Sequence, residues 1–430
     1  MLLMNVKGSM DYLPNEQIFR NRIIHTLSKT FEEYGYLPVE TTTLCYYDLL
    51  ASKYAGGAEI LKEVYKLKDQ GMRDLALRYD LTVPFAKIIS MNKGLNLPFR
   101  RYEIGKVYRD GPVKVGRNRE FYQCDVDVCG ISGQCVEAEL FSMAFLGYQR
   151  LGMDVYIEWN NRKFLSGLIQ YCGIEESLTS RVILSVDKLA KIGEDGVFRE
   201  LEEYHVKKEQ LEQLFQYFNL SIDELEDTFK EADNELLHEG IREVLTLQNY
   251  LTSMKLGDCR FTPYLARGLE IYTGSVWEIF DKSGTVTCAL GGGGRYDNII
   301  TKFINDGNVY PAVGMSFGLV PITEALMLKN KNIDISLYDV YIIPYDDKAN
   351  VMALTLASKL RENGVKVIIE MNHKKVKKCF EWANKNSIPY VTVIGDDEIS
   401  SGNIQMKNMV SGESVSYSVQ KIEEFIKKMR

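Results

Sequence analysis

Two stretches, "RRYEIGKVYRD" at 100–110 and "NREFYQCDVDVCG" at 118–130, alternate in character residue by residue. Successive side chains of a β-strand point to opposite faces, so this period of two predicts a pair of strands. On the incoming strand Arg101, Glu103, Gly105, Val107 and Arg109 share one face, with Tyr102, Ile104, Lys106 and Tyr108 opposite. On the returning strand Gln123, Asp125 and Asp127 share a face, and Tyr122, Cys124, Val126 and Val128 take the other. The chain must therefore accommodate a hairpin with one apolar and one heavily charged side.

A sheet surface turned to solvent would alternate in the same way. The connecting loop favours a binding site instead. Arg109, Lys114, Arg117 and Arg119, spaced by Gly111 and Gly116, form a flexible cationic rim suited to phosphate oxygens. A carboxylate and an amide beyond that rim suit an ammonium group and a polar side chain. Phosphate at one end and an amino acid at the other make a mixed site.

With 430 residues the chain has material for two or three domains. Its apolar share of 45% and charged share of 26% are those of a soluble globular protein. No apolar run approaches the roughly 18–20 residues that cross a bilayer, and the acidic residues near the start speak against a secretory signal. The 8 cysteines include no CxxC pair, so neither a zinc site nor a disulfide framework is expected. A reduced, cytoplasmic setting follows as the expectation. The net charge is −7, but 187–243 holds 17 acidic and 7 basic residues, a balance of −10. The remainder is therefore +3, and nucleic acid stays open as a partner.

Helical spacing of Ile18, Ile23, Ile24, Leu27 and Phe31 predicts a helix over 16–34. "DLALRYDLTVPFAKII" reads as a short strand turning at 81–84 into a helix, and 137–151 as another helix followed by the strand "MDVYIEWNN". The segment 164–256 is helical and acidic. "GLEIYTGSVWEIFD" and "TVTCALGGGGRYDNII" predict a second hairpin. A regular strand there would put Arg267, Leu269, Ile271 and Thr273 on one face and Gly268, Glu270 and Tyr272 on the other. "GGGGRYD" lacks the Lys-Ser or Lys-Thr of a phosphate loop and reads as a tight turn with close backbone approach. "AVGMSFGLVPITEALML" is a strand running into a helix. Beyond it "DVYIIPYD", "KVIIEMN" and "YVTVIGDD" alternate with helical stretches at 348–363 and 374–386, a βαβαβ order that predicts a small, mainly parallel sheet.

Taken together, "LRYDLTVPFA", "GKVYRDG" with "GRNREFYQCDVDV", "ARGLEIYTG" and "GGGGRYD" resemble the class II histidyl-tRNA synthetases, in order and spacing and over essentially the whole chain. The resemblance implies an α+β fold: an antiparallel class II synthetase sheet with flanking helices and a helical insertion, plus a C-terminal α/β anticodon-binding domain. The expected divisions are 1–163 and 257–329 for the two halves of the catalytic domain. The insertion takes 164–256, a linker 330–337, and the terminal domain 338–430.

The resemblance also implies roles. Asp80, Thr82 and Gln123 would hold the α-amino group of histidine. Asp127 and Tyr272 would read the imidazole nitrogens, with Ile271 and Tyr296 completing the histidine pocket. Arg109 would grip the α-phosphate and the substrate carboxylate, and Arg267 would be the catalytic cation beside it. Phe121 would stack on adenine, Arg117 would reach the outer phosphates, and Asp110 would be the acidic residue of the motif 2 loop. No residue is assigned to a resident metal. ATP with Mg²⁺, L-histidine and tRNA(His) are the implied substrates, and a homodimer with no membrane association the implied state.

The sequence departs from the family pattern at several points. Val320 and Pro321 in "FGLVPI" stand where motif 3 carries an acidic residue and an ATP-clamping arginine. Thr42 replaces the motif 1 proline, Ile271 the first tyrosine of the tyrosine-rich motif, and Glu270 its usual aspartate. Two readings therefore stand. One is a histidine–tRNA ligase. The other is a paralogue that binds histidine as a regulator or sensor, or activates it for a non-tRNA acceptor. His25, His205, His238 and His373 show no metal-ligand spacing, and "HKKVKK" at 373–378 reads as a solvated helix face or a phosphate-contacting one.

Overall fold

The computed structural model describes residues 3–54, 61–113, 118–267, 271–329 and 337–429. They fall into two compact units, Met1–Asn330 and Lys331–Arg430. In the first, the strands are β1 (Leu37–Pro38), β2 (Leu44–Tyr46), β3 (Lys66–Lys68), β4 (Asp74–Leu77), β5 (Phe99–Tyr108) and β6 (Glu120–Cys129). They continue with β7 (Val155–Asn161), β8 (Cys259–Phe261), β9 (Ser275–Asp281), β10 (Gly291–Arg295) and β11 (Ala312–Gly318). Among the described residues the main sheet runs β1-β5-β6-β11-β10-β9-β7-β8. Its pairings are antiparallel except the two outermost, β1 with β5 and β7 with β8.

The predicted hairpin is β5 and β6, in register from Phe99 opposite Cys129 to Tyr108 opposite Glu120. Cys124, Val126 and Val128 face a core that includes Phe31, Phe141 and Phe317, contributed by helix Pro14–Glu33, helix Cys135–Arg150 and β11. The charged face is not turned to solvent. Arg101 is 0% exposed, Glu103 2%, Asp125 5% and Asp127 4%. A solvated sheet surface is therefore ruled out as the reason for the alternation. Charge that far from water must be paired, or kept for something that binds.

The glycine run departs from expectation. Gly291–Arg295 is a strand inside the sheet rather than a tight turn, paired with β9 on one side and β11 on the other. The close approach does hold: Cβ atoms here would meet Arg267 or Tyr272 on one face and Tyr148 or Trp277 on the other. A strand of glycines lets bulky side chains lie flat against the sheet.

Sequence 164–256 is helical, from Arg162–Tyr171 to Glu235–Ser253 with four further α-helices between. Asn161 caps the first of these by accepting from the Lys163 and Phe164 amides at 2.8 and 3.2 Å. The same side chain donates to Glu243 Oε2 at 2.6 Å, tying the two long helices together.

In the second unit β12 (Val340–Pro344) lies between β13 (Val367–Ile369) and β14 (Tyr390–Ile394), all parallel, as the βαβαβ order predicts. Two further strands, β15 (Asn403–Asn408) and β16 (Ser414–Ser418), extend this sheet antiparallel. Their polar, short stretches carry little strand signal; Ile404 and Met406 anchor β15 in the core.

Candidate active site

The polar face of β6, β10 and β11 floors a cleft with two compartments. The inner has a volume of about 180 Å³ and the outer about 410 Å³. Tyr79, Arg109, Gln123, Arg267, Gly292 and Ser316 line both, so the two are continuous.

Asp127 lies at the blind end of the inner compartment. Its Oδ2 is 2.7 Å from Arg101 Nη2, and Tyr296 donates its hydroxyl to Oδ1. Gly314, directly across on β11, leaves the carboxylate room; a Cβ there would collide with Oδ1. Arg101 also donates to Leu81 O at 2.9 Å and lies 3.5 Å from Glu103 Oε2, while Arg78 Nη1 donates to Glu103 Oε1 at 2.8 Å. Two arginines and two carboxylates thus alternate beneath the pocket. Burial pushes the Asp127 carboxyl above the usual range, with Arg101 and the Tyr296 hydrogen bond opposing it. Asp80 accepts from the Val83 amide at 3.0 Å at the start of helix Thr82–Met91, and Asp80, Thr82, Ile271 and Tyr272 line the same compartment.

Arg109 and Arg267 stand where the compartments join. Arg109 Nε donates to Tyr79 O at 3.3 Å, and its guanidinium carbon lies 4.4 Å from the Tyr79 ring centre and 5.0 Å from that of Phe121. Such stacking orients a guanidinium without neutralising it. Arg267 lies over Gly292, where a Cβ would be 2.7 Å from Nη1. Its Nη1 is 3.5 Å from Trp277 O and Gly293 O, and its Nε 3.9 Å from Glu278 Oε1. These long contacts leave the cation able to meet an anion in the cleft.

Phe121 lines the outer compartment, together with Glu63, Ala289, Leu319, Val320 and Pro321. Asp110 does not line either compartment: its carboxylate lies 3.3 Å from Arg119 Nη2, and its amide donates to Glu63 O. Its chain neighbours Arg109, Gly111 and Pro112 line the outer compartment. Arg117, Lys114 and Glu270 lie outside the described residues. The expected strand through 267–273 is corrected at its described residues, 268–270 lying outside them. Described residues 271–274 precede β9 as a turn, and Arg267 and Tyr272 share the inner compartment, 5.6 Å from guanidinium carbon to ring centre, rather than opposite faces.

Sequence reasoning left Glu63, Asp125 and Ser316 out of the site. Glu63 gave no signal, since a carboxylate between a helix and a short strand is ordinary. Asp125 did give one, being in phase with Gln123 and Asp127.

A family model described as histidyl-tRNA synthetase matches residues 8–322, and one described as anticodon binding domain matches residues 339–429. "Histidine--tRNA ligase 1" of Bacillus thuringiensis subsp. konkukian is 46% identical over 99% of this chain and 100% of its own length. "Histidine--tRNA ligase" of Clostridium tetani is 35% identical over 98% and 97%. The crystal structure of histidyl-tRNA synthetase from Nostoc sp. PCC 7120 superposes with a TM-score of 0.85, covering 100% of both chains at 27% identity.

Proposed function

The chain belongs to the histidyl-tRNA synthetase family, and from that premise we propose that it activates L-histidine with ATP and transfers the histidyl group to tRNA(His). The observation that carries this reading is the two-compartment cleft joined at Arg109 and Arg267, with Asp127 at its closed end. Histidine enters the inner compartment imidazole first, where Asp127 accepts the ring N–H and Tyr272 lies alongside. Its carboxylate then faces the junction. ATP fills the outer compartment, its base against Phe121 and its α-phosphate between the two arginines.

The nucleophile is already ionised, so the reaction needs no general base. The histidine carboxylate oxygen attacks the α-phosphorus, the bond to the β-phosphate oxygen breaks, and pyrophosphate leaves. What the protein supplies is positioning and fixed positive charge. Arg109 and Arg267 meet the charge that builds on the phosphoryl oxygens, each as a preorganised donor. In the second step a ribose hydroxyl of the terminal adenosine attacks the acyl carbon and AMP leaves. Magnesium belongs to the same proposal, as part of the ATP complex, where it neutralises phosphate charge. Glu63 is the carboxylate lining the outer compartment, and Mg²⁺ needs one or two carboxylates beside phosphate oxygens and water.

Contact of tRNA with the second unit is supported by its match to an anticodon-binding model and by exposed Lys374, Lys375, Lys377 and Lys378. A homodimer is supported by exposed Leu37, Leu44 and Tyr46 at the β1 and β2 edge. A cytoplasmic setting belongs to the same proposal, resting on the family; no described helix is long and apolar enough to cross a membrane.

The test is histidine-dependent pyrophosphate–ATP exchange with purified protein and Mg²⁺. Exchange is the expected result. The apolar outer wall at Val320 and Pro321 favours a second reading, in which histidine binds but ATP does not. Histidine binding without exchange at any ATP concentration would establish that one.

A further inference from the structure

Asp125 occupies a place that the reading above leaves unused. Its row across the sheet is Glu103, Asp125, Ser316, Gly292 and Glu278, all at paired positions. Arg267 lies over Gly292 in that row. The next row is Arg101, Asp127, Gly314 and Gly294, the closed end of the pocket. A strand advances about 3.3 Å per residue, so Asp125 and Asp127 stand about 7 Å apart along the floor. Asp125 therefore lies under the end of the substrate that carries the α-carbon, between the imidazole reader and the catalytic arginine.

Two acceptors at this point have no hydrogen-bond donor. Asp125 Oδ1 and Gln123 Oε1 are both buried and unpartnered, although both residues line the inner compartment. Asp125 is 5% exposed. A buried carboxylate oxygen without a donor is costly, and folded proteins seldom keep one without use. Asp80 faces the same compartment from the start of helix Thr82–Met91. The cleft thus presents acceptors from the sheet below and from the helix end beside it. An ammonium group offers three donors and one positive charge.

We propose that Asp125 is a substrate-binding residue that, with Gln123 and Asp80, clamps the α-ammonium of the amino acid. The proposal rests on histidine being the occupant of the inner compartment. It adds a second carboxylate to the amine site and makes a free α-amine a strict requirement. Imidazole acids that lack the amine would leave Asp125 Oδ1 buried without a donor.

The test is calorimetric titration of the full-length protein with L-histidine, histidinol and imidazole-4-propionate, comparing the unmodified chain with Asp125→Asn. Histidinol keeps the amine and lacks the carboxylate; imidazolepropionate does the reverse. Removing one charge-assisted hydrogen bond predicts affinity about 10- to 100-fold weaker for histidine and histidinol in the variant. Imidazolepropionate should bind the variant at least as well as the unmodified chain. An equal loss for all three ligands would make Asp125 a structural residue and overturn the proposal, as would no loss for any. Failure of the unmodified chain to bind histidine would instead refute the reading beneath it, and the proposal with it. If Asp125→Asn does not fold, Asp125→Ser submits the same three comparisons.

Discussion

Asp127→Asn separates two roles that the geometry gives one carboxylate. The change keeps size and shape but removes the charge that faces Arg101, whose side chain is 0% exposed. What remains around that guanidinium is Leu81 O at 2.9 Å, Glu103 Oε2 at 3.5 Å and the nearby Asp125 carboxyl group, and Glu103 is already engaged by Arg78. Stranding a buried charge costs about 3–5 kcal/mol, and the residual share of Glu103 points to the lower end, about 3 kcal/mol. The second role is the imidazole contact. A hydrogen bond to a charged acceptor contributes about 1.5–3 kcal/mol, so histidine affinity should fall about 10- to 150-fold. Urea denaturation gives the first number. Calorimetric titration at low temperature gives the second, with its stoichiometry reporting the folded fraction. A histidine Kd within threefold of the unmodified protein, alongside the stability loss, would leave Asp127 a structural counter-ion and place the imidazole elsewhere.

Burial first, and Asp127 next, push Asp125 up to about 7 from its ordinary 3.8. The folded state holds that proton more tightly than the unfolded one, so the unmodified chain loses stability as pH rises from about 4 to about 7. Asp125→Asn escapes this, and its stability advantage should grow over that window and then level off; equal gaps in urea titrations at pH 5 and pH 7.5 would refute it. Arg267→Lys replaces a planar fork with a point charge, and exchange kcat should drop about 100-fold or more; a change under threefold would remove Arg267 from the chemistry. Pro321→Arg sets a guanidinium on the apolar outer wall and should lower the KM for ATP about 10-fold or more, where an unchanged KM would show that triphosphate does not reach that wall. Replacing Lys374, Lys375, Lys377 and Lys378 with alanine should flatten the salt dependence of tRNA binding by about 0.7–0.9 for each phosphate left without its lysine. An unchanged slope would put the tRNA on another surface.

Much of the site was legible because strand geometry is local. Gln123, Asp125 and Asp127 share a face in any strand through that sequence, and the partner strand was recognisable from its own alternation. Asp80 and Thr82 stood out for a similar reason, at a turn into a helix. The misreadings came where local signal is weak or misleading. Four consecutive glycines have the composition of a turn, yet their main chain completes the sheet between β9 and β11. Residues 271–274 looked like strand because they precede one. β15 and β16 are polar and short, and join the second sheet through pairing that no periodicity announces.

By itself, then, the sequence determined most of the elements, the two faces of the hairpin and the family. Each of these depends on neighbours along the chain, through the alternation of side chains or the order of motifs. It did not determine that the charged face is dry. That came from groups far apart in sequence: Arg101 beneath Asp127, Tyr296 bonded to it, Gly314 leaving it space, and Arg267 lying across Gly292. Buried charge is tolerable only when distant elements close over it and supply its partners. Tertiary structure alone therefore decided that the Asp127 carboxylate meets Arg101 and Tyr296, while Asp125 Oδ1 lies buried in the cleft wall without a hydrogen-bond donor.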